Sequence, residues 1–152
     1  SEEKINLAKK NGCDEVINYS KEDFSKKVME ITEGKGVPVV YDGVGKSTFE
    51  KSIKCLKTRG MMVSFGNASG ALEPIDVPKA LQPKGLFFVR PSMGQYLQTV
   101  EELSEASKVL FEKVGSKKIK VEIFKKYKLE EVQKAHIELE SRKITGPAVF
   151  IP

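Results

Sequence analysis

Apolar positions along this chain switch repeatedly between helical spacing and short unbroken runs. Ser1-Glu2-Glu3-Lys4 sets an N-cap serine before acidic residues, and Ile5, Leu7 and Ala8 carry the first helix to Asn11-Gly12. Glu15–Tyr19 reads as a short strand. Ser20–Asp23 then caps a helix with Phe24, Val28, Met29 and Ile31 at helical spacing, ended by Gly34 and Gly36. Val37–Asp42 is the clearest strand, with Gly43-Val44-Gly45 as its exit loop. Pro38 fits there only near the strand's start or on an edge, because it donates nothing to a ladder. Ser47–Lys57 follows as a helix with Phe49, Ile53 and Leu56 on one face.

The stretch Gly60–Gly70 organises the rest. Met61, Met62, Val63 and Phe65 form a buried run cut off by Gly66, Asn67, Ser69 and Gly70. In an open α/β sheet, ligands sit outside the carboxyl ends of the strands, which places Phe65–Gly70 at that end; a plain Gly-rich turn suits the same residues. Asn67–Gln82 is a long connection, and Leu86–Val89 is another buried strand, closed by Arg90-Pro91-Ser92. Thr99 and Glu102 make a capping box for a helix carried by Leu103, Ala106, Val109, Leu110 and Val114. Ile119–Ile123 alternates as a half-exposed strand, Leu129–Lys143 is amphipathic, and Ala148–Ile151 is a terminal strand.

Repeated helix–strand alternation predicts an α/β fold, a partial Rossmann-type parallel sheet with flanking helices. A dinucleotide fold opens with strand, G-x-G-x-x-G turn and helix. That first β-α-β is missing from these residues. The strands at Val39, Val63 and Phe88 are then expected side by side, while the one at Val16 must re-pair, fray or swap.

A length of 152 residues is enough for one core, with 39% hydrophobic and 31% charged residues. The net charge of +5 is spread over helices that also carry glutamates, so it describes a solvated surface rather than a nucleic-acid face. It equally suits a small phosphorylated partner. Cys13, Cys55 and the single histidine, His136, cannot assemble a zinc site from the usual ligand sets. Reduced, packed thiols suit the cytoplasm, and no apolar run is long enough to span a bilayer. His136 reads as a structural or surface residue. Cys55 shares a helix with Lys51, Lys54 and Lys57, but nothing else marks it as reactive.

Six motifs in order resemble the zinc-free quinone oxidoreductases, the zeta-crystallin-like branch of the medium-chain dehydrogenase/reductase superfamily. They are V-I-N-Y (16–19), E-D-F (22–24), V-V-Y-D-G-V-G (39–45), S-F-G-N-A-S-G (64–70), R-P-S (90–92) and A-H-I-E-L-E-S-R-K (135–143), with a terminal F-I-P. The resemblance covers the whole chain. It implies that residues 1–152 are the C-terminal part of an NADPH-binding Rossmann-like domain. Residues 119–152 would return toward a catalytic domain that is missing here.

It further implies NADPH as donor and quinones as acceptors, commonly in one-electron steps, with no metal and no covalent nucleophile. By position, Lys4 matches a lysine that pairs with the adenosine 2′-phosphate, Tyr19 packs beside it, and Arg142 reaches the same region. Gly43 falls near the ribose or pyrophosphate, and Phe65, Gly66, Asn67 and Ala68 beside the nicotinamide ribose. Phe88, Val89 and Arg90 offer backbone groups to the carboxamide. A 2′-phosphate needs cations, and Glu2 and Glu3 weaken the field of Lys4. Read without the resemblance, Tyr19 is a strand-end aromatic and Lys4 and Arg142 are surface cations. The resemblance also implies a homodimer through the edge strand 86–89. The alternative is a non-catalytic truncated or split-gene product that folds or self-associates as a module.

Overall fold

The computed structural model describes residues 2–141 and 144–152. The expected cap at Ser1 and the cofactor contact expected of Arg142 therefore lie outside the described residues. The chain divides into two compact units, one ending at Tyr96 and one running from Leu97 to Pro152.

In the first unit, β1 (Val37–Asp42), β2 (Leu56–Ser64) and β3 (Phe87–Val89) lie in that order in one sheet, every pair parallel. The three strands expected side by side are so. Val40, Met62 and Phe88 share one register row. On their face, Phe49 of α3 (Phe49–Cys55) meets Phe88 edge-on at 6.0 Å, and Met62 is fully buried. The opposite face carries Val39, Tyr41, Met61 and Phe87, all exposed.

Helix α3 runs directly into β2 at Leu56, which is fully buried. Val37 pairs with Leu56, yet Val39 pairs with Met61, so residues 57–60 bulge out of the ladder, with Arg59 at φ 58°. Pro38 sits at this irregularity on an edge strand, where its missing N–H costs no ladder bond. The Lys84 ammonium donates to the carbonyls of Lys54 (3.1 Å) and Leu56 (2.5 Å), satisfying acceptors that the end of α3 leaves open.

Helix α1 (Glu2–Lys10) precedes α2 (Phe24–Ile31), whose N-cap Asp23 accepts from the N–H groups of Ser25 and Lys26. The strand expected at Glu15–Tyr19 does not form; these residues are unpaired coil. A strand exists through the ladder of a neighbour, and neither sheet has one beside them. Of the outcomes expected for it, re-pairing within the described residues is not realised. The connection after β2 contains α4 (Val77–Ala80) and a 3₁₀ turn at Gln82–Lys84, and α5 (Met93–Tyr96) follows β3.

In the second unit, the Thr99 capping box forms as expected at the start of α6 (Val100–Gly115). The strand expected at Ile119–Ile123 is displaced to β4 (Lys125–Lys128). The Ile119 N–H is spent on the Lys113 carbonyl, and contact with the partner segment begins only where Phe124 N–H donates to Pro147. After a 3₁₀ turn at Leu129–Glu131, α7 (Val132–Glu140) leads to β5 (Ala148–Ile151), parallel to β4. Buried Tyr127 donates to Glu138 Oε2 at 2.6 Å, and Lys125 donates to the same oxygen while lying 4.8 Å from the Tyr127 ring centre.

Leu56 therefore anchors the α3–β2 junction. Leu56→Ala should cost about 3 kcal/mol through lost burial and the cavity left behind. Urea unfolding reads this directly, and a cost below about 1 kcal/mol would place the core elsewhere.

Candidate functional site

At the carboxyl end of β1 the Asp42 side chain is only 4% exposed and is surrounded by donors. Its Oδ1 accepts from the N–H of Val44 (2.8 Å) and Gly45 (3.0 Å). Its Oδ2 accepts from Ser52 Oγ at 2.8 Å, and the Thr48 hydroxyl lies 2.8 Å from Oδ2 and 3.0 Å from Oδ1. Burial pushes this carboxyl up, but the Gly45 N–H, the Ser52 and Thr48 hydroxyls and the Val44 N–H outweigh it, leaving it below its ordinary value. The turn is a carboxylate-centred one, closed by the first residues of α3.

The loop after β2 is fastened to this turn along its length. Phe65 N–H donates to the Asp42 carbonyl (3.0 Å), Ala68 N–H to Gly43 (3.3 Å) and Ser69 N–H to Val44 (2.8 Å). Ser69 Oγ donates to the Val44 carbonyl (2.8 Å) and accepts from Ser47 N–H (3.0 Å), while Lys46 N–H reaches the Gly70 carbonyl at 3.3 Å. Glycine is required by contact at Gly66, where a Cβ would collide with the Gly43 carbonyl, and by both contact and φ of 90° at Gly45. Gly66 does not take positive φ, so its role is close approach rather than backbone freedom; Gly70, at φ 113°, does take it.

Gly43, Phe65, Gly66, Asn67 and Ala68 thus gather at one end of the sheet. Phe88 and Val89 close β3 at the same end, and the Arg90 guanidinium donates to the Ser64 carbonyl (3.3 Å) and hydroxyl (3.2 Å). Among the described residues, Asn67 is exposed and its side-chain amide has no hydrogen-bond partner; neither do the N–H groups of Gly66 and Asn67. These are donors and acceptors open to a ligand.

Lys4 and Tyr19 belong to another part of the first unit. The Glu2–Lys21 ion pair (3.0 Å) ties the first turn of α1 to the turn carrying Tyr19. Lys4 is exposed on α1, and Tyr19 meets Phe24 edge-on at 6.3 Å. Among the described residues, no three His, Cys, Asp or Glu side chains gather as a metal would require. No described helix is long and apolar enough to cross a membrane.

The family model described as "Zinc-binding dehydrogenase" matches residues 1–118. The chain belongs to this family. Within it, these 152 residues align with the C-terminal part of medium-chain quinone oxidoreductases. The solved quinone oxidoreductase of Pseudomonas syringae pv. Tomato DC3000 superposes with a TM-score of 0.93 at 41% identity, over 100% of this chain and 47% of that one. The Escherichia coli quinone oxidoreductase complexed with NADPH gives 0.89 at 47% identity, over 95% and 45%. A 2-haloacrylate reductase from Burkholderia sp is 42% identical over 153 residues, 100% of this chain and 46% of the relative. The chain spans about half the length of the curated relatives it matches.

In this chain, Thr48, Ser52 and Ser69 build the site without being conspicuous in the sequence. The usable signal is Asp42 at a strand end followed by Gly-x-Gly and hydroxyl residues, the pattern of an Asx-type turn running into a helix.

Since its folded-state pKa is lowered, Asp42 contributes stability that is complete above the unfolded pKa of about 3.9 and lost as pH falls through the folded value. Asp23, held low by Ser25 and Lys51, acts in the same sense. Denaturation midpoints taken from about pH 5 down to about pH 2 should fall for the native chain and fall less for Asp42→Asn. Equal slopes would show that the Asp42 charge is not what the turn depends on.

Proposed function

We propose that these residues form the nucleotide-side half of an NADPH:quinone oxidoreductase, in which reducing equivalents pass from NADPH to a quinone. The reading is carried by one coincidence: the loop pair with open donors at Gly66 and Asn67 lies in a chain 47% identical to an oxidoreductase solved with NADPH. When bound, the nicotinamide supplies the hydride. Phe65, Gly66, Asn67 and Ala68 would hold the nicotinamide ribose, with Gly43 close beneath. The backbone of Phe88, Val89 and Arg90 would orient the carboxamide. Lys4 and Tyr19, with Arg142, would receive the 2′-phosphate at the other end.

The reaction would use no zinc from these residues, since one histidine and two cysteines, one exposed and one buried, offer no ligand set. Residues 119–152 would return toward a catalytic domain, and the cytoplasm suits such an enzyme. The likeness to a 2-haloacrylate reductase favours a second acceptor class, an activated C=C conjugated to a carboxylate. A polypeptide of only these 152 residues contains no G-x-G-x-x-G turn, so by itself it would act as a non-catalytic module.

Titration with NADPH, followed by amide NMR, tests the cofactor assignment. Shifts are expected at Gly66–Ala68 and Phe88–Arg90, with a dissociation constant weaker than micromolar, because most pyrophosphate donors of a helix N-terminus are not among these residues. Shifts confined to other surfaces would sink the assignment, and micromolar affinity would contradict the weakness.

The edge strand supports a homodimer. β3 is last in its sheet and holds no lysine or proline, so its outer edge is open to another chain. Pro91 limits how far such pairing could extend. Sedimentation at micromolar concentration should give a dimer, and Phe88→Pro should shift it toward monomer. A monomer throughout would refute this.

A further inference from the structure

We propose that Asp42 is a positioning residue. Its carboxylate takes up the Val44 and Gly45 N–H groups and the Thr48 and Ser52 hydroxyls, and so makes the first loop a rigid support for the second. The inference rests on the nucleotide reading above and assigns a division of labour within it.

The D-G-V-G-K-S-T stretch has the glycines of a phosphate-binding turn, but its backbone donors from Val44 onward are spent internally. Val44 and Gly45 N–H serve Asp42; Lys46 N–H serves Gly70; Ser47 N–H serves Ser69; Thr48 and Phe49 N–H both serve the Gly45 carbonyl. A second anion would meet a buried negative charge and no open amide from Val44 to Phe49. The opposite holds one loop away, where the Gly66 and Asn67 N–H groups have no partner among the described residues. Those open groups are held in place through Gly43 and Val44, whose carbonyls accept from Ala68 and from Ser69. Asp42 fixes Val44 and Gly45, and the Val44 carbonyl in turn holds Ser69 of the ligand-facing loop through both its N–H and its hydroxyl. The chain of contacts runs from the carboxylate to the first loop and on to the second, where the open Gly66 and Asn67 N–H groups lie.

Amide hydrogen exchange by NMR tests the coupling, with Leu56→Ala as the reference because it weakens the sheet away from both loops. At matched global stability, Asp42→Asn should speed exchange at Phe65, Ala68 and Ser69 by about tenfold or more over Leu56→Ala. Ser52→Ala, which removes one donor, should act in the same direction and serves if Asp42→Asn does not fold. Indistinguishable profiles would overturn the proposal. NADPH titrated into the same samples should shift Gly66 and Asn67 in the native chain, with affinity about tenfold weaker in the coupled-loop variants than in Leu56→Ala. Shifts centred on Val44–Thr48 would overturn the division of labour. No shift anywhere in the native chain would remove the nucleotide reading, and the exchange comparison would still decide whether Asp42 couples the loops.

Discussion

A buried carboxylate is stable only where its charge is met by donors, and Asp42 is met by two backbone amides and two hydroxyls. Removing any one partner leaves the charge under-satisfied, so the residues are held as a set. This set fixes the exit of β1, the start of α3 and, through the paired loops, the exit of β2. The glycines follow from the same constraint. With the loops this close, no side chain fits at Gly66 against Gly43, or at Gly45 against the Gly70 carbonyl.

The sheet supporting the loops is covered on one face by α3, and Met62 and Leu56 fill the space between. Parallel strands are rich in apolar residues on both faces because helices normally cover both. Here that composition is visible in Val39, Tyr41, Met61 and Phe87, apolar side chains on the face opposite α3. The same unit thus carries a hydrogen-bonded loop pair at one end and a sheet with an exposed apolar face, in a chain that spans about half the length of its relatives.

What was legible in the sequence is what local chemistry decides. β1 and β5 match their expected spans because β-branched runs are bounded by breakers, and the α6 cap was visible because Thr99 and Glu102 stand at capping-box spacing. What was not legible depends on partners. Val16–Tyr19 has strand composition but no ladder, and Ile119–Ile123 alternates but lies before the point where β5 comes alongside. For the site, the two loops could be placed at the strand ends from their glycines alone. The hydrogen bonds joining them could not, since Ser69 is 25 residues from the Val44 carbonyl it meets.

The two ends of the proposed nucleotide site therefore rest on different physics. At the nicotinamide end, recognition would fall to backbone groups of loops fastened around the buried Asp42 carboxylate. At the proposed phosphate end, α1, which carries Lys4, is tied to the turn that carries Tyr19 by an exposed Glu2–Lys21 pair, while Tyr19 itself meets Phe24 of α2 edge-on. Exposed ion pairs contribute little and weaken with salt. In the proposed site, the residues that would face the nicotinamide belong to the hydrogen-bonded loop pair, whereas Lys4 and Tyr19, which would meet the 2′-phosphate, are exposed. That separation lets selectivity between phosphorylated and unphosphorylated cofactors change by substitution near Lys4 without disturbing the loops that position the reacting ring.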